Sequence, residues 1–179
     1  MLGYLVRQTM VRSVGVVLGV LSLGLLSFGA QASISEAEYL GLFHGAWAGK
    51  GTVIKGSLPW QVNCHAVGSP SENHIVIKGD CNVAIVSVAI AADITFDPAT
   101  GRYSGTYIGA KVGPAHLSGV RSGSTVNLAI TWPKPVNGDT RARMVIENDG
   151  RGSLRIMVSD NVKPGGPEQR TSDIVLSQT

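Results

Sequence analysis

Charge is sparse in this chain and gathers nowhere: Asp, Glu, Lys and Arg make up 15% of its 179 residues. Apart from Arg7 and Arg12, 13 basic residues face 12 acidic ones, all dispersed. No concentrated phosphate-binding surface results, so nucleic acid is not an expected partner. Histidine occurs four times, as His44, His65, His74 and His116, and no two stand at His-x-His or His-x-x-x-His spacing. With no Cys-x-x-Cys either, a metal site has no sequence support. The phosphate-loop and dinucleotide patterns are missing, so no cofactor is expected. There is no Gly-x-Ser-x-Gly elbow, and no catalytic residue is nominated. Beyond the N-terminal region no run of 10–15 residues carries a helical period, which argues against alternating βαβ units.

What the chain does have begins with a leader. Arg7 and Arg12 precede an apolar run from Val14 to Leu26, and Ala30-Gln31-Ala32 gives the small-x-small pattern of signal-peptidase cleavage before Ser33. Met10 would serve equally well as a start, since Arg12 and the same apolar run follow it. The run is shorter than the roughly 20 residues needed to span a bilayer, and no cysteine follows the cleavage point to carry a lipid. The expectation is a signal peptide over 1–32 and one exported domain over 33–179, periplasmic or secreted, with no transmembrane span in the mature chain. In such an oxidising compartment Cys64 and Cys81 are expected to pair. Closing the loop between them constrains the unfolded chain by roughly 3 kcal/mol.

After Ser35, an N-cap with Glu38 at the third helical position, the chain reads as one or two helical turns. From Trp47 the period becomes two. Short apolar-polar alternations run over Trp47 to Ile54, Trp60 to Val67, His74 to Lys78 and Tyr103 to Ile108, while Val83 to Ala92, the most apolar stretch with small and branched side chains, leads into the alternation of Asp93 to Phe96. The alternations continue over Ala115 to Val120, Thr125 to Trp132, Arg141 to Ile146, Ser153 to Val158 and Thr171 to Leu176. Turn residues separate most of them, Asp97-Pro98-Ala99-Thr100-Gly101 most clearly. In the Thr125 strand, Val126, Leu128 and Ile130 should point inward and Thr125, Asn127 and Thr131 outward. The implied fold class is all-β: a single antiparallel up-and-down β-barrel of eight to ten strands, preferred over a two-sheet sandwich. Eighteen glycines within 33–179 would relieve crowding where a small barrel bends.

Within Phe43-His44-Gly45-Ala46-Trp47-Ala48-Gly49-Lys50-Gly51, the Gly45-Ala46-Trp47 step resembles the Gly-x-Trp opening of lipocalin-like (calycin) barrels. The longer Gly-x-Trp-x-Gly-x-Gly pattern is also similar to the start of nitrobindin-type haem barrels. The resemblance covers nine residues and implies a barrel around a small-molecule cavity. Lipocalins commonly lay an arginine of the last strand over the tryptophan, whereas here Arg170 stands only before the last apolar strand. Nitrobindin-like haem ligation uses a late histidine, whereas the last one here is His116.

The best candidates for contact with a ligand are Trp132, Tyr103 and Tyr107. The two tyrosines are four apart and so share a strand face, while Trp132 stands at a strand end before Pro133-Lys134-Pro135, where a loop would cover a barrel mouth. Core packing explains the same residues without a ligand. Arg141, Arg143 and Arg155 alternate with apolar residues and would share an outer surface suited to anionic envelope components, or simply to solvent. The leading reading is a non-enzymatic exported cell-envelope protein acting by binding or structural association. The alternatives are a calycin-like carrier of a small apolar ligand or lipid, and a small periplasmic hydrolase for which His65, His116, Asp93 and Ser104 are merely available.

Overall fold

The computed structural model describes residues 34–179, so the leader and its cleavage point lie outside the described residues. The alternating segments form ten strands: β1 (Gly45–Lys55), β2 (Leu58–Ser71), β3 (His74–Val83), β4 (Val86–Asp97), β5 (Arg102–Ile108), β6 (Ala115–Ser122), β7 (Thr125–Val136), β8 (Asp139–Asn148), β9 (Ser153–Asn161) and β10 (Glu168–Gln178). Each pairs antiparallel with its sequence neighbours, and β1 pairs with β10, with Trp47 opposite Gln178 and Val53 opposite Ser172. The sheet is therefore a closed up-and-down barrel, and closure leaves no edge strand open to another chain.

Alternation decides which side chains fill it. On β7, Val126, Leu128 and Ile130 are buried while Asn127 and Thr131 face solvent, as the period-two reading expects. Cys64 and Cys81 stand directly opposite each other on β2 and β3 and form a disulfide facing the interior. His65, next in sequence, points outward and is exposed.

Three strands run further than their turn residues suggest, β2 passing through Gly68-Ser69-Pro70 to Ser71. β3 does not stop at Gly79-Asp80 but continues to Val83, because Gly79 lies where the backbones of β2 and β3 approach too closely for a side chain. A Cβ there would sit 2.0 Å from the His65 carbonyl oxygen. Gly105 on β5 holds the same position against Asp93, also at 2.0 Å, and such glycine kinks let a narrow sheet curl closed. β7 likewise passes through Pro133-Lys134-Pro135 to Val136, with the register slipping between Thr131 and Val136 where proline cannot pair. Trp132 is thus inside a strand rather than at its end.

One end of the barrel is sealed by α1 (Glu36–Gly41). Ser35 and Glu38 form the expected capping box, the Ser35 hydroxyl accepting the Glu38 N–H at 3.2 Å and the Glu38 carboxylate accepting the Ser35 N–H at 2.8 Å. The helix drives Tyr39, Leu40 and Phe43 into the barrel, where each is at most 3% exposed. Only about 10 Å³ of space remains between them and Ile75, Ile94 and Val126, too little for more than a single water.

The seal is locked electrostatically. The Arg121 guanidinium donates from Nε to both Glu36 carboxylate oxygens, at 3.0 and 2.9 Å, lies 4.7 Å from the Tyr39 ring centre, and donates to the Ile34 carbonyl at 2.9 Å. Tyr103 donates its hydroxyl to the same Glu36 carboxylate. Burial, followed by that hydrogen bond, pushes the Tyr103 phenol far above its ordinary value.

Candidate functional site

The end opposite α1 is bounded by the connections at 56–57, 84–85, 109–114, 137–138 and 162–167, and among the described residues no helix covers it. The inward row of β7 ends there in Trp132, which is 5% exposed, and the inward row of β5 ends in Tyr107. Their ring centres are 6.1 Å apart, tilted by 49°. Ala110 and Val112, from the 109–114 connection, pack against the core. Burial pushes the Tyr107 phenol up to about 12.

Beneath these rings lies a carboxylate. Asp160 is 4% exposed and accepts the Trp132 indole N–H at 3.0 Å and the Asn161 backbone N–H at 2.7 Å. Burial raises its pKa despite both hydrogen bonds, and the nearby Asp139 and Glu168 carboxylates act in the same direction. The Asn161 side chain donates in turn to Asp139 at 2.9 Å, tying the start of β8 to the end of β9. At the mouth, therefore, buried aromatic rings meet one buried, hydrogen-bonded carboxylate.

Among the described residues, the other side of the mouth is uncovered. On β2 the buried inward row of Val62, Cys64 and Ala66 continues in the same parity to Trp60 and Leu58, which are 44% and 63% exposed. In the neighbouring β3–β4 hairpin Val86 is half exposed and Ile85 fully exposed. The interior face thus runs past the barrel body as an unroofed apolar strip.

Of the three residues singled out from sequence, Tyr107 and Trp132 come together at this mouth. Tyr103 shares the inward face of β5 as its spacing requires, but it lies at the α1 end, 5.1 Å from the Phe96 ring and bonded to Glu36. Asp160 was legible in principle, since it continues the inward row of Leu154, Ile156 and Val158. A carboxylate on the apolar parity of a strand is a signal in its own right.

The residues available to a hydrolase stay apart. His65, His116, Asp93 and Ser104 all face outward on different strands. His74 meets Asp93 at 2.8 Å on the outer surface, but among the described residues no histidine ring bonds a serine hydroxyl, and no three metal-binding side chains gather. The arginines are largely matched. Arg155 makes a two-pronged pair with Asp173 at 2.8 Å, Arg170 shares that carboxylate at 3.0 Å, and Arg143 reaches Glu168 at 2.7 Å. A recess of about 270 Å³ beside Arg141 and Arg143 is correspondingly polar and charge-balanced, with Asp139 and Glu168 in its wall.

No family model and no curated protein matches the chain. Among solved structures it is similar to the crystal structure of Rv2717c from M. tuberculosis, with a TM-score of 0.64 and 14% identity, over 83% of this chain and 99% of that one. The shared feature is the barrel. At that identity the likeness describes architecture alone. The Gly45-Ala46-Trp47 step does open β1 at the sealed end, with Trp47 buried and its indole N–H donated to the Phe43 carbonyl at 3.0 Å. Ten strands exceed the eight of a lipocalin barrel, and at the sealed end Arg121 stacks on Tyr39 of α1.

Proposed function

We propose that this is a non-catalytic, exported protein of the cell envelope that works by binding, through the open end of its barrel. The observation that carries this reading is the contrast between the two ends. The α1 end is closed by packed side chains and a partly buried ion pair, whereas the other continues the interior face into exposed Leu58, Trp60 and Val86. Unroofed apolar surface next to a packed core is costly to leave in water, and in soluble proteins it marks a place of contact. The Cys64–Cys81 disulfide fits an oxidising compartment outside the cytoplasm, in keeping with cleavage after Ala32.

A carrier of a small apolar ligand is the second reading, supported by the Tyr107, Trp132 and Asp160 arrangement. Its ligand would sit at the mouth, because the space at the α1 end is about 10 Å³. Native mass spectrometry of protein purified from its own cells tests both readings. A stoichiometric lipid or apolar adduct that is lost on Trp132→Ala supports the carrier; an empty protein whose open end still takes up an apolar dye supports binding at the rim. N-terminal sequencing of the exported product tests the cleavage site.

A further inference from the structure

We propose that the open rim docks onto an anionic lipid bilayer; the inference rests on the binding reading above and specifies its partner. The first observation is Ile85. It forms the tip of the two-residue β3–β4 turn, is 100% exposed, and follows Ala84 at φ +52°. Tight turns of this kind favour Gly, Asn or Asp, so neither backbone conformation nor packing calls for isoleucine at the tip. The β2–β3 register, extended from the Asn63–Asn82 pair, brings Trp60 level with this turn. Leu58 and the β1–β2 tip project beyond it. This part of the rim therefore presents Trp60 between Ile85 and Leu58, on hairpins that reach past the barrel body.

The second observation is charge. Lys55, Lys111, Lys134 and Lys163 stand in or beside four of the five connections at this end, all exposed. Among the described residues no lysine takes part in any ion pair, whereas Arg121, Arg143, Arg151, Arg155 and Arg170 all do. Of the carboxylates at the same end, Glu168 is paired with Arg143 and Asp160 is buried, while Asp80 and Asp139 hydrogen-bond neutral side chains. The exposed groups of the rim in no ion pair include all four lysines, set around an apolar tip. A bilayer surface with anionic headgroups over acyl chains matches both, the tryptophan lying at headgroup level where aromatic rings prefer to sit. A protein partner would have no need of lysines spread around the whole mouth, while a charged plane does.

The test uses protein recovered from the exported fraction and vesicles of phosphatidylcholine alone or in equimolar mixture with phosphatidylglycerol. Trp47 and Trp132 are buried, so a blue shift of tryptophan emission on vesicle addition reports on Trp60. Binding to the anionic vesicles at low salt is expected, with much weaker binding to the neutral ones. Ile85→Ser touches no core contact and should weaken partitioning roughly tenfold. Lys111→Gln and Lys163→Gln should each weaken it about fivefold, a difference that fades as salt is added. Absence of binding to anionic vesicles, equal binding by these variants, or a lipid-independent dimer abolished by Ile85→Ser would overturn the inference. An uncharged apolar dye, Nile red, separates the two levels. Wild-type protein whose dye uptake depends on Leu58 and Trp60 but which binds no vesicles overturns docking and leaves rim binding standing; wild-type protein that takes up no dye and binds no vesicles overturns both.

Discussion

Trp132 and Asp160 join β7 to β9 inside the mouth of the barrel by an indole N–H donated to a buried carboxylate at 3.0 Å. Removing the acceptor strands the indole N–H in an apolar setting, so Asp160→Ala should cost about 1–3 kcal/mol. The same carboxyl gives stability a pH slope. Because burial raises its folded pKa above the unfolded value, the folded state holds a proton that the unfolded chain has already released. Stability contributed by Asp160 is therefore full below about pH 4 and falls as pH rises through the raised pKa. Asp160→Asn keeps one acceptor and cannot ionise; it should lose less than the alanine variant and flatten this part of the pH profile. Urea unfolding of the three proteins across the acid range measures both effects.

Strand parity on β7 supplies a second test. Val126 is 4% exposed inside the barrel, and its neighbour Asn127 is exposed outside. Val126→Asp places an unpaired carboxylate among Leu40, Phe43 and Ile146 and should cost several kcal/mol, roughly 3 or more. Asn127→Asp should stay within about 0.5 kcal/mol. Equal losses in urea unfolding would contradict the inward row.

Parity is also why so much of this fold is legible in the sequence. Each strand has one face on the core and one in water, so alternation at residues such as Val126 to Ile130 marks both the strand and its orientation. What alternation hides is the exception. Gly79 and Pro133 read as breaks, yet one marks a close backbone approach and the other a register slip within a continuing strand. Arg121, Asn148 and Asp160 each extend an apolar inward row with a polar side chain, so they look like strand ends when taken singly. Only the tertiary structure supplies the partners Glu36, Leu42 and Trp132 that satisfy them. Tyr103 and Tyr107 show the complementary limit: spacing gives a shared face, but not that one lies under α1 and the other at the mouth.

The disulfide is expected to act on the unfolded chain. Cys64 and Cys81 are already register partners across β2 and β3, so reduction leaves the hairpin its ladder while freeing a loop in the denatured state. A Cys64→Ser, Cys81→Ser protein should fold to the same barrel and lose about 3 kcal/mol. Thiol-reductant titration of wild type during urea unfolding should produce the same shift, and no shift would show that the bond contributes little beyond the ladder.

At the sealed end, Glu36 serves two donors at once, the Arg121 guanidinium and the Tyr103 hydroxyl. Arg121 has a side chain only 10% exposed and Glu36 one of 24%, so removing either partner leaves the other's charge poorly solvated. Arg121→Ala or Glu36→Ala should each cost about 3 kcal/mol, and Tyr103→Phe about 1 kcal/mol. In a double-mutant cycle the Glu36 and Arg121 losses should be strongly non-additive, since the second removal relieves the charge left stranded by the first. Arg151 and Asp149, 3.7 Å apart with side chains 85% and 37% exposed, provide the comparison: their cycle should give a coupling of about 0–1 kcal/mol, as solvated surface pairs do. Hydrogen exchange adds the structural readout. In Glu36→Ala the amides of α1 should lose protection while those of β7 keep theirs, whereas a barrel that loosened throughout would mean that the helix is part of the core rather than a lid bolted to it.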